Sequence, residues 1–234
     1  MYYPEDILKP MGISREQFTK SLQIVWDAEG GKIQGDWSLC EDVGDGAGIS
    51  YGAYQWTEKS GLLARLVKKY LEKKRLQGEL IGDDATLAGC PLGSGSWSQN
   101  TLVHDLGIMS ALKGVAHDPL MIQSQHELFV ETRVQPAVEK MKKCGMTSAL
   151  GYASWAYIIN HGWSTSYYAP IIAAQGEAAK CEALVSAHIR RLQTLSNWDK
   201  YKNGWMVIFN AYLKAARNNN INLDIPQKWR NYII

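Results

Sequence analysis

The chain has 234 residues, 46% of them hydrophobic and 21% charged, and its 25 basic and 23 acidic side chains leave a formal charge of +2. These are the proportions of a globular domain with a sizeable core. The basic excess is far below that of a nucleic-acid-binding domain, and no stretch approaches the ~20 apolar residues of a membrane span. Nine Trp and twelve Tyr stand against three Phe, a bias toward flat rings with a polar edge that suits a sugar-binding groove as well as a core. Cys40, Cys90, Cys144 and Cys181 lie far apart, and His104, His117, His126, His161 and His188 show no metal-ligand spacing, so neither a metal nor another cofactor is expected. Scattered cysteines are compatible with a reducing compartment. Met1 to Asp6 carry no basic segment leading into an apolar one, so the expectation is a protein made in the cytoplasm without a signal peptide.

In chain order, the first long helix is predicted over 14–28. Ser14 and Gln17 make a capping-box pattern, and Phe18, Leu22, Val25 and Trp26 recur at helical spacing. Gly30 and Gly31 stop it, leaving Glu29 at a helix C-terminus, where the macrodipole disfavours negative charge and raises a carboxyl pKa. Residues 32–59 read as loops and short strands, and 60–76 as a helix with Leu63, Leu66, Val67 and Tyr70 on one face. Its Lys68, Lys69, Lys73, Lys74 and Arg75 read as a solvated face. The glycine- and proline-rich stretch 82–99 is the expected link between two lobes. Helices follow over 104–112, 120–143, 148–160, 177–195 and 199–218. The expectation is one catalytic domain, mainly α with a small β region that holds the densest carboxylates.

That dense region is the run from Cys40 to Tyr51, with Glu41, Asp42 and Asp45 set among Gly44, Gly46 and Gly48. Alternate glycines forbid regular helix and permit a tight turn around Asp45. A phosphate loop would lead into a helix, with a lysine in the P-loop case, whereas a Tyr-rich strand follows here. An EF-hand starting at Asp42 would need Glu at its twelfth position, which is Ala53. A lone Glu at a helix end and a lone Asp in a glycine turn are the two carboxyl groups that glycoside hydrolysis requires.

The segment EDVGDGAGIS resembles the EDIGDGRGYT signature of family 46 chitosanases, which belong to the wider lysozyme-like superfamily. In that family a Glu lies shortly upstream, at the end of the first long helix. Arg133 to Val138, Ala149 to Gly151 and His161-Gly162 are similar to the family's central helical segment. Asn222 to Trp229 is similar to its closing NLDL…P…KW motif. The resemblance implies a lysozyme-like, two-lobed α+β fold with its cleft between the lobes. It further implies Glu29 as general acid, Asp45 as general base, Ser50 as the holder of the attacking water, and Glu41 and Asp42 as the acidic pair opening the motif. Tyr51, Tyr54, Gln55 and Trp163 are the expected cleft walls. The run from Ser50 to Trp56 is also similar to the SxGxYQ stretches of lysozyme-like cell-wall hydrolases.

Two departures bear on substrate. The family's loop arginine is Ala47, and the acidic residue expected five before His161 is Ala156. With the slight positive charge, these favour a peptidoglycan glycosidase acting on the cell wall after release or delivery, as an endolysin or lytic effector would, with chitosan hydrolysis as the alternative. A wall-binding module without turnover is a third possibility, disfavoured because a pure binder has no need of two separated carboxyl groups. A monomer with no nucleic-acid partner is expected.

Overall fold

The computed structural model describes residues 3–30, 32, 34–160 and 164–234, with only the backbone of Glu29, Gly30 and Asn160. The chain divides into two compact units, one of residues 1–33 and 130–234, the other of residues 34–129. The architecture is mainly helical with one small sheet, as expected.

In the first unit, a short α1 (Glu5–Leu8) precedes the long α2 (Arg15–Gly30). The capping box forms as its residues predict: Ser14 Oγ accepts from Gln17 N at 3.2 Å, and Gln17 Oε1 accepts from Ser14 N at 2.9 Å. The remaining helices of this unit are α7 (Gln135–Cys144), α8 (Ala149–Asn160), α9 (Tyr168–Ala173), α10 (Glu177–Leu192) and α11 (Trp198–Arg217). Helix α8 packs against α2, α7 and α10, and α10 packs along α11. Phe18, Leu22 and Trp26 from α2 are buried, as are Tyr152 and Trp155 from α8; the Phe18 and Tyr152 rings meet at 6.0 Å. The C-terminal stretch folds back as a small hairpin: Gln227 exchanges backbone hydrogen bonds with Ile234, and buried Trp229 sets its ring edgewise on Tyr212 at 4.9 Å.

The second unit contains β1 (Cys40–Asp42), β2 (Ile49–Tyr51) and β3 (Trp56–Thr57), paired antiparallel in that order. Four helices accompany the sheet: α3 (Leu62–Arg75), α4 (Asp83–Gly89), α5 (Leu106–Gly114) and α6 (Pro119–Phe129). Glu41 lies opposite Ser50 and Asp42 opposite Ile49 in the β1–β2 register. Leu63, Leu66, Val67 and Tyr70 form the buried face of α3 as their spacing predicts.

Two expectations need correcting. The stretch 82–99 lies inside the second unit as α4 and a 3-10 turn (Pro91–Ser94), and the chain passes between the units at 33/34 and 129/130. The single helix expected over 120–143 is interrupted by a π-helical turn over Val130–Val134. Pro136 is the physical reason: it has no N–H to donate to the carbonyl four residues earlier, and the Arg133 guanidinium donates to that Thr132 carbonyl instead, at 3.3 Å.

Candidate active site

The loop joining β1 to β2 is built from its own short-range hydrogen bonds. Asp42 Oδ1 accepts from Gly44 N and Asp45 Oδ1 from Ala47 N, both at 2.9 Å, so each carboxylate closes a turn two residues long. Gly46 and Gly48 take left-handed backbone with φ of 81° and 76°. Gly48 also has no room for a side chain, since an added Cβ would lie 2.5 Å from Glu58 Oε2 and 2.9 Å from Asn100 Cα. Glu41, Asp42 and Asp45 are exposed, whereas Ser50 is buried on β2 between Glu41 and Thr57. The loop therefore offers Asp45 to solvent between two short turns.

What fixes it is Glu58, a residue the sequence reading passed over. Its side chain is fully buried, with 0% of its surface exposed. Oε2 accepts from Ile49 N at 3.2 Å, and Oε1 accepts from Trp97 Nε1 at 3.0 Å, Thr101 N at 2.9 Å and Leu102 N at 3.0 Å. Backbone bonds from Glu58 N to Ile49 O and from Lys59 N to Ala47 O, each 2.9 Å, run alongside. Asn100 Nδ2 donates to Gly46 O at 3.1 Å.

Glu29 is the penultimate residue of α2, at the helix end as expected; its side chain lies outside the described residues. The turn that carries it is held from the C-terminal hairpin. Asp27, 0% exposed, accepts from Arg230 N, Asn231 N and Asn231 Nδ2 at 2.9–3.2 Å. The Arg230 guanidinium donates to Ala28 O at 2.7 Å, supplying a cation to a helix C-terminus as the macrodipole favours. Beside it is a pocket of about 190 Å³ lined by Ala28, Tyr157, Tyr201, Trp205, Ile208 and Arg230.

The expected cleft walls fare differently. Tyr51 is wholly buried and its hydroxyl donates to Leu112 O at 2.9 Å, so it is a core residue of the second unit and not a wall. Tyr54 is also buried, stacked on Phe129 at 4.3 Å with its hydroxyl bonded to His126 Nδ1 at 2.9 Å. Gln55 is half-buried with a left-handed φ of 51°, an uncommon conformation for a side-chain-bearing residue. Trp163, with His161 and Gly162, lies outside the described residues. Ala156 is buried in α8.

Burial holds His126 neutral down to about pH 4, which removes it as a general acid or base near neutrality. Burial likewise pushes the Cys40 thiol up to about 11 and that of Cys181 up to about 12, so neither is a nucleophile. Among the described residues no group of three or more His, Cys, Asp or Glu side chains is placed to hold a metal ion, and no helix is long and apolar enough to cross a membrane.

The family model for glycosyl hydrolase family 46 matches residues 23–195, a span that includes both Glu29 and the 40–51 loop. Among solved structures, the chitosanase of Gynuella sunshinyii in complex with chitotetraose is 17% identical with a TM-score of 0.77, covering 95% of this chain and 98% of that one. A mutant chitosanase from Bacillus subtilis MY002 complexed with 6 GlcN is 20% identical with a TM-score of 0.74, covering 95% and 100%. The native chitosanase from the same source gives 19% and 0.75 over the same shares. Nothing among curated protein sequences matches the chain.

Proposed function

The chain belongs to glycosyl hydrolase family 46, and on that premise we propose that it cleaves β-1,4-linked amino-sugar chains of the chitosan type with inversion, using Glu29 as acid and Asp45 as base. The observation that carries this reading is the conjunction at the 40–51 loop. The stretch that resembles the family signature lies inside the family match and folds into a glycine turn with an exposed Asp45 carboxylate.

In the proposed reaction the protonated Glu29 carboxyl donates its proton to the glycosidic oxygen as the bond to the anomeric carbon breaks. Asp45 takes a proton from a water that attacks that carbon from the opposite face. One product carries the new anomeric hydroxyl in inverted configuration, the other a free 4-hydroxyl, and proton exchange with solvent restores both carboxyl groups. Such a pair works at a separation of about 6.5–9.5 Å, wide enough for the water. Ser50, five residues beyond Asp45, has the hydroxyl to orient it. Glu41 and Asp42 add exposed negative charge to the same loop, which suits a glucosamine polymer, itself a polycation.

Peptidoglycan is the second reading, and the observations that favour it are Ala47 and Ala156 in place of charged family residues, with the net charge of +2. The solved neighbours bind glucosamine oligomers and weigh toward the first. Mass spectrometry of products from highly deacetylated chitosan and from purified peptidoglycan, at matched pH and salt, separates the two. Chitosan oligomers are expected, and muropeptides with intact chitosan would replace the first reading by the second. NMR of the earliest product tests the stereochemistry; a retained anomer would rule out Asp45 as a base acting through water.

A further inference from the structure

A buried carboxylate is expensive, and one without a cationic partner needs a reason to be there. Among the described residues no lysine or arginine reaches Glu58, and its charge is met only by the four N–H groups that converge on it. A carboxylate accepts hydrogen bonds at both oxygens and donates at neither, so it is the one side-chain group able to take all four. These donors come from two places: Ile49, which ends the glycine turn, and the 97–102 segment.

We infer that Glu58 is a positioning residue for hydrolysis, fixing the Asp45 turn by clamping it to the 97–102 segment. The inference rests on Asp45 being the base. Asp45 itself closes only a local turn through Ala47 N, which shapes the loop without tying it to the rest of the unit. The ties run through Glu58 to Ile49, Lys59 to Ala47 and Asn100 to Gly46, all within four residues after the base. Gly48 completes the fit, because its bare Cα lets the turn lie directly on Glu58 and Asn100. A general base must meet its water at hydrogen-bond distance, and a misplacement of ~1 Å can cost on the order of 10²-fold in rate.

The test is Glu58→Gln, which keeps the shape but turns one acceptor into an NH2 group facing an N–H donor. On a soluble glucosamine oligomer that the wild type cleaves, kcat is expected to fall roughly 10–100-fold with KM within about twofold. Hydrogen exchange at the amides of Ile49, Thr101 and Leu102 is expected to accelerate while α3 stays protected. If the variant fails to fold, Asn100→Ala removes only the outer tie, and its kcat is expected to fall about 3–10-fold at unchanged KM. Accelerated exchange with an unchanged kcat overturns the positioning role, and so does a loss confined to thermal stability. Unchanged exchange at Ile49 overturns the clamp itself. Glu29→Gln and Asp45→Asn assayed in parallel keep the two claims apart. Full activity in either of them sinks the reading of the catalytic pair, while the exchange measurement still decides the clamp.

Discussion

The two units hold their carboxyl groups by the same device, applied over very different lengths of chain. In the second unit the turn bearing Asp45 hangs from buried Glu58, whose donors lie 9 to 44 residues away. In the first, the helix end bearing Glu29 is fastened through buried Asp27 to Arg230 and Asn231, 203 and 204 residues away. Each is a carboxylate capturing N–H groups that would otherwise go unsatisfied. The Asp45 turn is thus set by a local structure that closes early in the chain. The end of α2 that bears Glu29 is held by Arg230 and Asn231, so perturbation of the C-terminal hairpin should reach Glu29 and spare Asp45.

The largest expected effects remove the two groups themselves. Glu29→Gln and Asp45→Asn should each lower kcat by about 10²–10⁴-fold with the fold intact, the range of general acid–base contributions. Circular dichroism and product release measured on the same sample check both halves of that statement.

Next comes the C-terminal clamp. Trp229→Ala removes the ring that seats the hairpin on Tyr212 and should cost about 3–5 kcal/mol of stability. Asp27→Asn is milder: it leaves one acceptor where two oxygens take three donors, and should cost about 1–3 kcal/mol. Both should lower kcat at temperatures where the protein is fully folded, and neither should alter hydrogen exchange at Ile49. A change there would mean that the two anchors are not independent, and the contrast between the units would fall.

A smaller effect is confined to the second unit and appears only in acid. His126 has its pKa depressed by burial to about 4 from an ordinary 6.5, so the unfolded chain takes up its proton at higher pH than the folded one. Stability from this group is complete above about pH 6.5 and is lost as pH falls toward 4. The loss should reach about 2 kcal/mol at pH 5. Thermal unfolding between pH 7 and 5 should show that slope in the wild type and a flatter one in His126→Phe. Equal slopes would remove His126 as its source.

Much of this was readable in advance, and the failures share a cause. The long helices declared themselves because periodicity, the Ser14/Gln17 cap and the glycine stops are local signals. The Cys40–Tyr51 loop stood out because three glycines and three carboxylates constrain the backbone wherever they occur. Glu58 and Asp27 carried no such signal: each is one acidic residue in an unremarkable context, and only tertiary pairing shows what it binds. Tyr51, a candidate for the cleft wall, belongs to the core because all three residues of β2 are buried, which only the tertiary packing shows. Pro136 did mark the break at 130–134, but its helical neighbours masked it. The preference for peptidoglycan draws on Ala47, Ala156 and the net charge, and the net charge describes the whole surface and not the loop where Glu41 and Asp42 stand exposed.

The smallest expected effect is a salt dependence that distinguishes the charge of the loop from that of the whole chain. The loop around Asp45 carries three exposed carboxylates, while Arg230 of the C-terminal hairpin stands exposed beside the end of α2 and the protein as a whole is +2. Screening acts over ~10 Å at 0.1 M salt and ~3 Å at 1 M. If the loop draws in the glucosamine chain, raising ionic strength should increase KM for a chitosan oligomer by roughly two- to fivefold, a size in keeping with exposed charge contacts, while kcat stays level. Glu41→Gln combined with Asp42→Asn should abolish most of that dependence and leave the Glu29/Asp45 chemistry in place. A KM that falls with salt would mean that repulsion by the net positive charge outweighs the loop. That outcome would return the advantage to an anionic wall polymer.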